Sequence, residues 1–189
     1  LDSYRPDAPA WETVLDIDAL AKAETANWIW KGADCRPKTH DRCLVELSNG
    51  GKDAVEIREF DLKTKRFVEG GFRLPESKQT VAWLDADTLI LTRDWGAGTT
   101  TESGYGFVVK TLKRGQPLSA AREVFRGEAK DVGATPVVHR DGSGKRIVLV
   151  DRSLDFFNSA WFVLPEDGGP ARPLPLPTRS SVYGYIDGR

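Results

Sequence analysis

The sequence predicts an all-β chain: a partial β-propeller of about three four-stranded antiparallel blades plus the start of a fourth, preceded by a short helix. Three observations predict it. A strand-turn-strand unit recurs, at Val81–Asp94 around a tight acidic turn, at Ala134–Asp151 around Asp141–Lys145, and again from Val182 to Arg189, where the sequence ends. The second strands of the units begin at Arg42, Thr88 and Arg146, 46 and 58 residues apart, a spacing that suits blades of four short strands with insertions. Finally, Leu89–Leu91 and Ile147–Val150 are unbroken apolar runs, the pattern of strands covered on both faces, whereas the outer strand Ala54–Leu62 alternates charged and apolar residues. A two-sheet sandwich also uses short, evenly spaced strands and is the alternative architecture.

In chain order, residues 1–27 form an extension whose Ala- and Leu-rich run up to Glu24 predicts a short helix, capped by Asp16 or Asp18. The first blade, 28–75, reads as strands Trp28–Cys35, Arg42–Ser48, Ala54–Leu62 and Phe67–Leu74. Its turns are Pro37–Asp41, Asn49–Asp53 and Lys63–Lys65, the second with Asn and Gly where a left-handed backbone is wanted. The second, 80–128, reads as Thr80–Asp85, Thr88–Asp94, Tyr105–Arg114 and Glu123–Gly127, with a polar insertion at Trp95–Gly104 that accounts for the longer interval. The third, 134–177, reads as Thr135–Arg140, Arg146–Arg152, Ala160–Pro165 and Arg172–Pro177. A fourth begins at Ser181–Ile186 and turns at Asp187-Gly188. A repeat array interrupted inside a unit is expected to be a piece of a longer protein. The sequence also contains no Met, even at position 1, so the natural N-terminus is expected to lie elsewhere. No targeting signal is therefore readable that would separate a cytoplasmic from a periplasmic protein.

Composition excludes several classes. Net charge is −1 and the isoelectric point about 6.2, with both signs interspersed, so nucleic acid is not an expected partner. No apolar run approaches the roughly 20 residues that span a bilayer.

Few residues carry chemistry. Cys35 and Cys43, with seven residues between them, are expected to be two buried reduced thiols. Were they neighbours across a hairpin they would form a bridge suited to an oxidising compartment. With His40 they give three soft ligands and no fourth, a poor zinc site. Gly142-Ser143-Gly144-Lys145 resembles the end of a phosphate loop, but His139 stands where that loop needs Gly and Arg146 where it needs Ser or Thr. A hairpin turn explains it. Trp28, Trp30, Trp83 and Trp161 are expected to fill blade cores and seams, a stacking platform being the alternative. Pro170, Pro173, Pro175 and Pro177 suit an edge strand, with a polyproline ligand as the alternative.

Several separate segments, in order and at matching spacing from about residue 11 to the end, resemble bacterial members of the prolyl oligopeptidase family. They are Asp16–Lys31, Gly50–Val55, Phe67–Pro75, Val81–Leu91 and Ser103-Gly104-Tyr105. The resemblance implies a seven-bladed propeller over an α/β-hydrolase peptidase domain, of which this chain supplies three blades and the opening of a fourth. It also implies serine-peptidase cleavage on the carboxyl side of proline, in short peptides admitted by the propeller, without metal or cofactor. The partners implied are the peptidase domain and oligopeptide substrates. The loop Trp95–Gly104 and the connection Glu76–Thr80 would then face that domain or the incoming peptide, or else be plain solvated insertions.

None of the catalytic machinery carries over to these residues. G-x-S-x-G does not occur in the 189 residues, and Gly142-Ser143-Gly144 stands in a hairpin turn rather than a strand-to-helix elbow. His40 reads as a turn residue and His139 as a strand residue. No catalytic, cofactor-binding or metal residue is therefore assigned, and the chain is expected to be inert by itself. The alternative function is an independent propeller that serves as a protein-interaction platform. An incomplete ring would expose blade faces, so self-association or rearrangement of terminal segments is expected.

Overall fold

A computed structural model describes residues 11–184. Helix α1 (Ile17–Glu24) begins where the Asp16 carboxylate accepts a 2.9 Å bond from the Ala19 amide and ends at Thr25, which adopts the left-handed region. Its last turn holds the chain to the first sheet. Glu24 accepts both Arg58 guanidinium nitrogens (2.7 and 2.9 Å) and the Trp28 indole (2.8 Å), while the Arg58 guanidinium lies between the Trp28 and Phe67 rings.

Three antiparallel sheets follow. The first comprises β1 (Trp28–Cys35), β2 (Arg42–Asn49), β3 (Val55–Asp61), β4 (Arg66–Phe67) and β5 (Arg73–Ser77), with both β4 and β5 paired to β3. The second runs in simple order through β6 (Thr80–Asp85), β7 (Thr88–Thr92), β8 (Val108–Lys113) and β9 (Arg122–Arg126). The third does the same through β10 (Gly133–Arg140), β11 (Arg146–Ser153), β12 (Ser159–Leu164) and β13 (Arg172–Pro173). This is the arrangement of a partial propeller, three successive blades stacked face to face.

Period-two alternation explains why the middle strands read as continuous apolar runs. Leu89 and Leu91 point into the seam with blade one, against Leu44, Ile57, Phe72 and Leu74. Ile90, between them, points into the seam with blade three, against Val148 and Val150. The far face of blade one is closed by α1, which packs Leu15, Ile17 and Leu20 on Val45, Leu47 and Phe60. No helix among the described residues is long and apolar enough to cross a membrane.

Several expectations need correction. The predicted strand Phe67–Leu74 is broken into β4 and β5. Between them Val68–Gly71 forms a tight loop closed by a Gly71 amide to Val68 carbonyl bond (3.0 Å), and Gly70 takes a φ of 65°. β3 is not half-solvated: Ile57, Arg58, Glu59 and Phe60 are all buried, because blade two lies on one face and α1 on the other. Arg172–Pro177 contributes only two strand residues, since each proline removes a ladder donor. Residues 181–184 are not a strand, and the remainder of the predicted fourth blade, 185–189, lies outside the described residues. Instead this stretch crosses the far face of blade three, where the Trp161 indole donates to the Ser180 carbonyl (3.0 Å) and the His139 ring meets the Val182 carbonyl (3.2 Å).

Trp83 (1 % exposed) and Trp161 are buried as expected, but Trp30 is 57 % exposed, beyond the cluster that takes in Trp28. Cys35 and Cys43 are not free thiols. They are directly paired across β1 and β2 and form a disulfide, with Cα atoms 3.9 Å apart. The bridge also removes both sulfurs as ligands for a metal with His40.

Candidate functional site

The first strands of the sheets, β1, β6 and β10, lie side by side as the innermost elements. The Trp83 indole on β6 donates to the Asp34 carbonyl on β1 (3.0 Å), and Arg140 on β10 donates to the carbonyls of Trp83 (2.7 Å) and Leu84 (2.9 Å). Where β6 and β10 begin, the connections between blades and the loops between second and third strands share one end of the molecule. A cavity of about 500 Å³ opens there, walled by Lys31, Glu46, Asp53, Lys78, Gln79 and Tyr105.

The predicted insertion Trp95–Gly104 forms part of this end and is not a loose solvated loop. Asp94 accepts from the Gly96 amide (2.8 Å), Thr99 caps the Trp95 amide (3.0 Å), and the Trp95 indole donates to the Val108 carbonyl (2.9 Å). The Lys110 ammonium stands 4.7 Å from the centre of the Trp95 ring. Thr101 is buried, bonded through its amide to the Tyr105 carbonyl (2.8 Å). Gly106 is required where the loop re-enters the sheet, because a Cβ there would sit 2.6 Å from the Arg93 carbonyl oxygen.

Three elements converge on the cavity rim. Tyr105, at the end of the loop, donates its hydroxyl to Asp53 in the β2–β3 turn (3.2 Å), and that carboxylate raises the tyrosine's pKa. Lys78, in the connection between blades one and two, lies over the Tyr105 ring at 4.4 Å, donates to the Ser103 carbonyl (2.9 Å) and approaches Asp53 at 4.0 Å. Glu76–Thr80 and Trp95–Gly104 are thus brought together through Lys78. Gln79 completes the joint by donating to the carbonyls of Val55 (2.7 Å) and Pro75 (3.0 Å) while accepting from Arg93 (3.3 Å). Deeper in, Glu46 is held above its ordinary pKa by burial and by the nearby Asp34, and Asp34 is itself raised by burial.

The same end presents two exposed rings. Phe156 and Phe157, 89 % and 72 % exposed, sit in the β11–β12 loop. Asp155 fixes that turn by accepting from the Phe157 amide (2.8 Å) and the Asn158 amide (2.9 Å). Such a surface can bind and position extended peptide or packed protein through hydrogen bonds, charge and aromatic area. It contains no nucleophile–base pair: the His139 ring meets a backbone carbonyl, and His40 lies in the β1–β2 turn at the opposite end. Neither Phe pair nor rim cluster is marked by a local motif. The rim comes from positions 53, 78 and 105, which only the fold unites.

The family model described as "Prolyl oligopeptidase, N-terminal beta-propeller domain" matches residues 2–187. Among curated proteins, the chain is 48 % identical over 191 residues to the uncharacterized peptidase y4nA of Sinorhizobium fredii, covering 100 % of this chain and 26 % of that protein. It is 30 % identical over 174 residues to the uncharacterized peptidase RP174 of Rickettsia prowazekii, covering 87 % of this chain and 24 % of that one. The chain therefore spans about a quarter of the length of these relatives. Among solved structures, a post-proline cleaving enzyme from Rickettsia typhi superposes with a TM-score of 0.88 at 24 % identity, over 97 % of this chain and 28 % of that one.

Proposed function

This chain belongs to the prolyl oligopeptidase N-terminal β-propeller family, and from that premise we propose that it is the non-catalytic access domain of a serine endopeptidase. The parent hydrolyses short proline-containing peptides, and the propeller gates their passage to the active site. The partial propeller comprises, among the described residues, three blades of about 28–75, 80–128 and 134–177, preceded by an extension that carries α1. No residue here is assigned a catalytic, cofactor or metal role, since the sequence has no G-x-S-x-G and the His139 ring meets a backbone carbonyl.

One observation carries the reading: the end where inter-blade connections and the Trp95–Gly104 loop meet is rigidly built yet left open, with a polar cavity and two exposed phenylalanines. A free-standing module has no use for Phe156 and Phe157 in water. The occupant we propose is the remaining part of a longer parent, its peptidase domain seated on this end, which the greater length of the relatives supports. The experiment is deletion of Gly96–Ser103 in the full-length parent, read with a fluorogenic proline-containing peptide. The expected outcome is a changed kcat/KM for long peptides relative to short ones. Unchanged kinetics for both removes the loop from gating. A parent with no prolyl peptidase activity at all leaves the interaction platform as the function.

A further inference from the structure

The opposite end of the inner strands carries a second cavity, of about 570 Å³, between the hairpin turns of all three blades. Its walls bring together five cations, Arg36, Lys38, Arg140, Lys145 and Arg146, against two acids, Asp85 and Glu166. Arg36 is already satisfied by a bidentate pair with Asp41 (2.7 and 2.8 Å). Arg146 has weak partners in Asp85 (3.9 Å) and Glu166 (3.8 Å). Among the described residues, Arg140, Lys38 and Lys145 have no carboxylate within salt-bridge distance.

The geometry holds these charges together against their repulsion. Arg140 donates to the Leu84 carbonyl at 2.9 Å, and Arg146 donates to the same oxygen, so two guanidiniums converge on one acceptor. Burial and the charge of Arg146 make Arg140 easier to deprotonate, an effect that the more distant Asp34 and Asp85 carboxylates offset only in part. Lys38 takes a left-handed backbone (φ 71°) at the tip of the β1–β2 turn. Its ammonium reaches over the β10–β11 turn of blade three, where a Cβ at Gly144 would collide with it. Asp141, in that turn, accepts the Ser143 amide and hydroxyl and the Lys145 amide on its Oδ1 and makes no ion pair with Lys38.

We propose that this cavity is an oxyanion site that takes a carboxylate or phosphate group between Lys38, Arg140 and Lys145. The Arg140 Nη2 is held by the Trp83 and Leu84 carbonyls, which leaves its Nε and Nη1 protons for such a group, and two flexible ammoniums close around it, each contact being a charge-assisted hydrogen bond. Binding supplies the missing counter-charge and relieves the crowding of Arg140 and Arg146. The inference is independent of the parent's reaction, because it rests on this chain's own turns.

The test is calorimetric titration of the purified chain at low ionic strength with inorganic phosphate and, separately, with succinate, chloride serving as the ionic-strength control. Saturable one-to-one binding is expected, weakened about tenfold or more in Lys38→Gln and in Lys145→Gln, since a hydrogen bond to a charged group is worth that much. Both lysines lie in turns outside the apolar core, so their loss leaves the fold intact. Arg140→Lys keeps the charge but loses the guanidinium's further N–H donors and should also weaken binding. Tighter phosphate than succinate identifies a phosphate ligand; equal or tighter succinate identifies a carboxylate such as a peptide's acidic group. Binding that never saturates, or that is unchanged in both lysine variants, overturns the site.

Discussion

Glu59 is the most completely enclosed charge among the described residues, with no side-chain exposure. It sits where blade one meets the β8–β9 turn of blade two. Its carboxylate accepts two bonds from Arg114 (2.6 and 3.0 Å), one from the Phe72 amide (2.9 Å) and a longer one from Arg42 (3.4 Å). Removing one member of a buried pair strands the other charge, so Glu59→Ala should cost about 3–5 kcal/mol in urea denaturation. A loss under about 1 kcal/mol would mean that solvent reaches the seam. Glu46 works in the opposite sense. Burial and Asp34 raise its pKa, so the folded state holds its proton more tightly than the unfolded chain does. The group therefore costs nothing below the ordinary value of 4.5, and its penalty grows as pH rises above it. Glu46→Gln should raise the melting temperature at pH 7 and lose that advantage below pH 4.5; a constant difference across pH refutes the assignment. Neither glutamate announces itself in the sequence, where both look like ordinary charged residues of alternating strands. Asp53, Lys78 and Tyr105 are equally silent, since burial and partnership come from elements far apart in the chain.

The elements were more legible than their side chains. Thr88–Thr92 and Arg146–Ser153 show as apolar runs because their two faces serve two seams, a property of the strand itself. The strand expected over Phe67–Leu74 hid its break, because the Val68–Gly71 loop is set by tertiary contact. Glu59 donates its amide to the Phe72 carbonyl (2.8 Å) and accepts the Val68 amide (2.9 Å), and a Cβ at Gly71 would lie 2.9 Å from its carboxylate. The disulfide was hidden for a related reason: pairing of Cys35 with Cys43 depends on register, and a slip of one residue would turn the two thiols to opposite faces. Closing this short hairpin loop should stabilise the chain by about 2–3 kcal/mol through the unfolded state. Denaturation with and without reductant, alongside the Cys35→Ser/Cys43→Ser double variant, checks it. Reductant and variant should lower the midpoint equally, and a midpoint that moves with neither refutes the contribution.

On the scale of the whole molecule, each sheet packs its faces on its neighbours, with turn side chains such as Lys38 reaching from blade one to blade three, so the ends of the array decide its behaviour in solution. One end is closed by α1 with its apolar residues and the Arg58–Glu24 pair. The other is covered by residues 174–184, which meet blade three through the carbonyls of Thr178, Ser180 and Val182 and leave Tyr183 91 % exposed. A helix with a capped, packed face resists displacement better than an extended segment. We propose that the chain self-associates at the blade-three end, with a second copy displacing this cover. Light scattering should then show mass rising with concentration, and truncation after Pro177 should strengthen the effect. A monodisperse monomer at high concentration in both forms rules it out.

The indole of Trp83 closes the contact between the first two blades from inside, bonded to the Asp34 carbonyl and sealed at 1 % exposure beside the Phe72 ring. A variant that keeps Trp83 and replaces the other five tryptophans by phenylalanine thereby carries its own optical gauge. Trp83 should emit at short wavelength while the blades remain together and shift to the red when they part. Trp30, already in water, would report nothing either way. Comparing that emission with the slow exchange of the indole proton would tell whether the blades separate one at a time or only when the whole array comes undone.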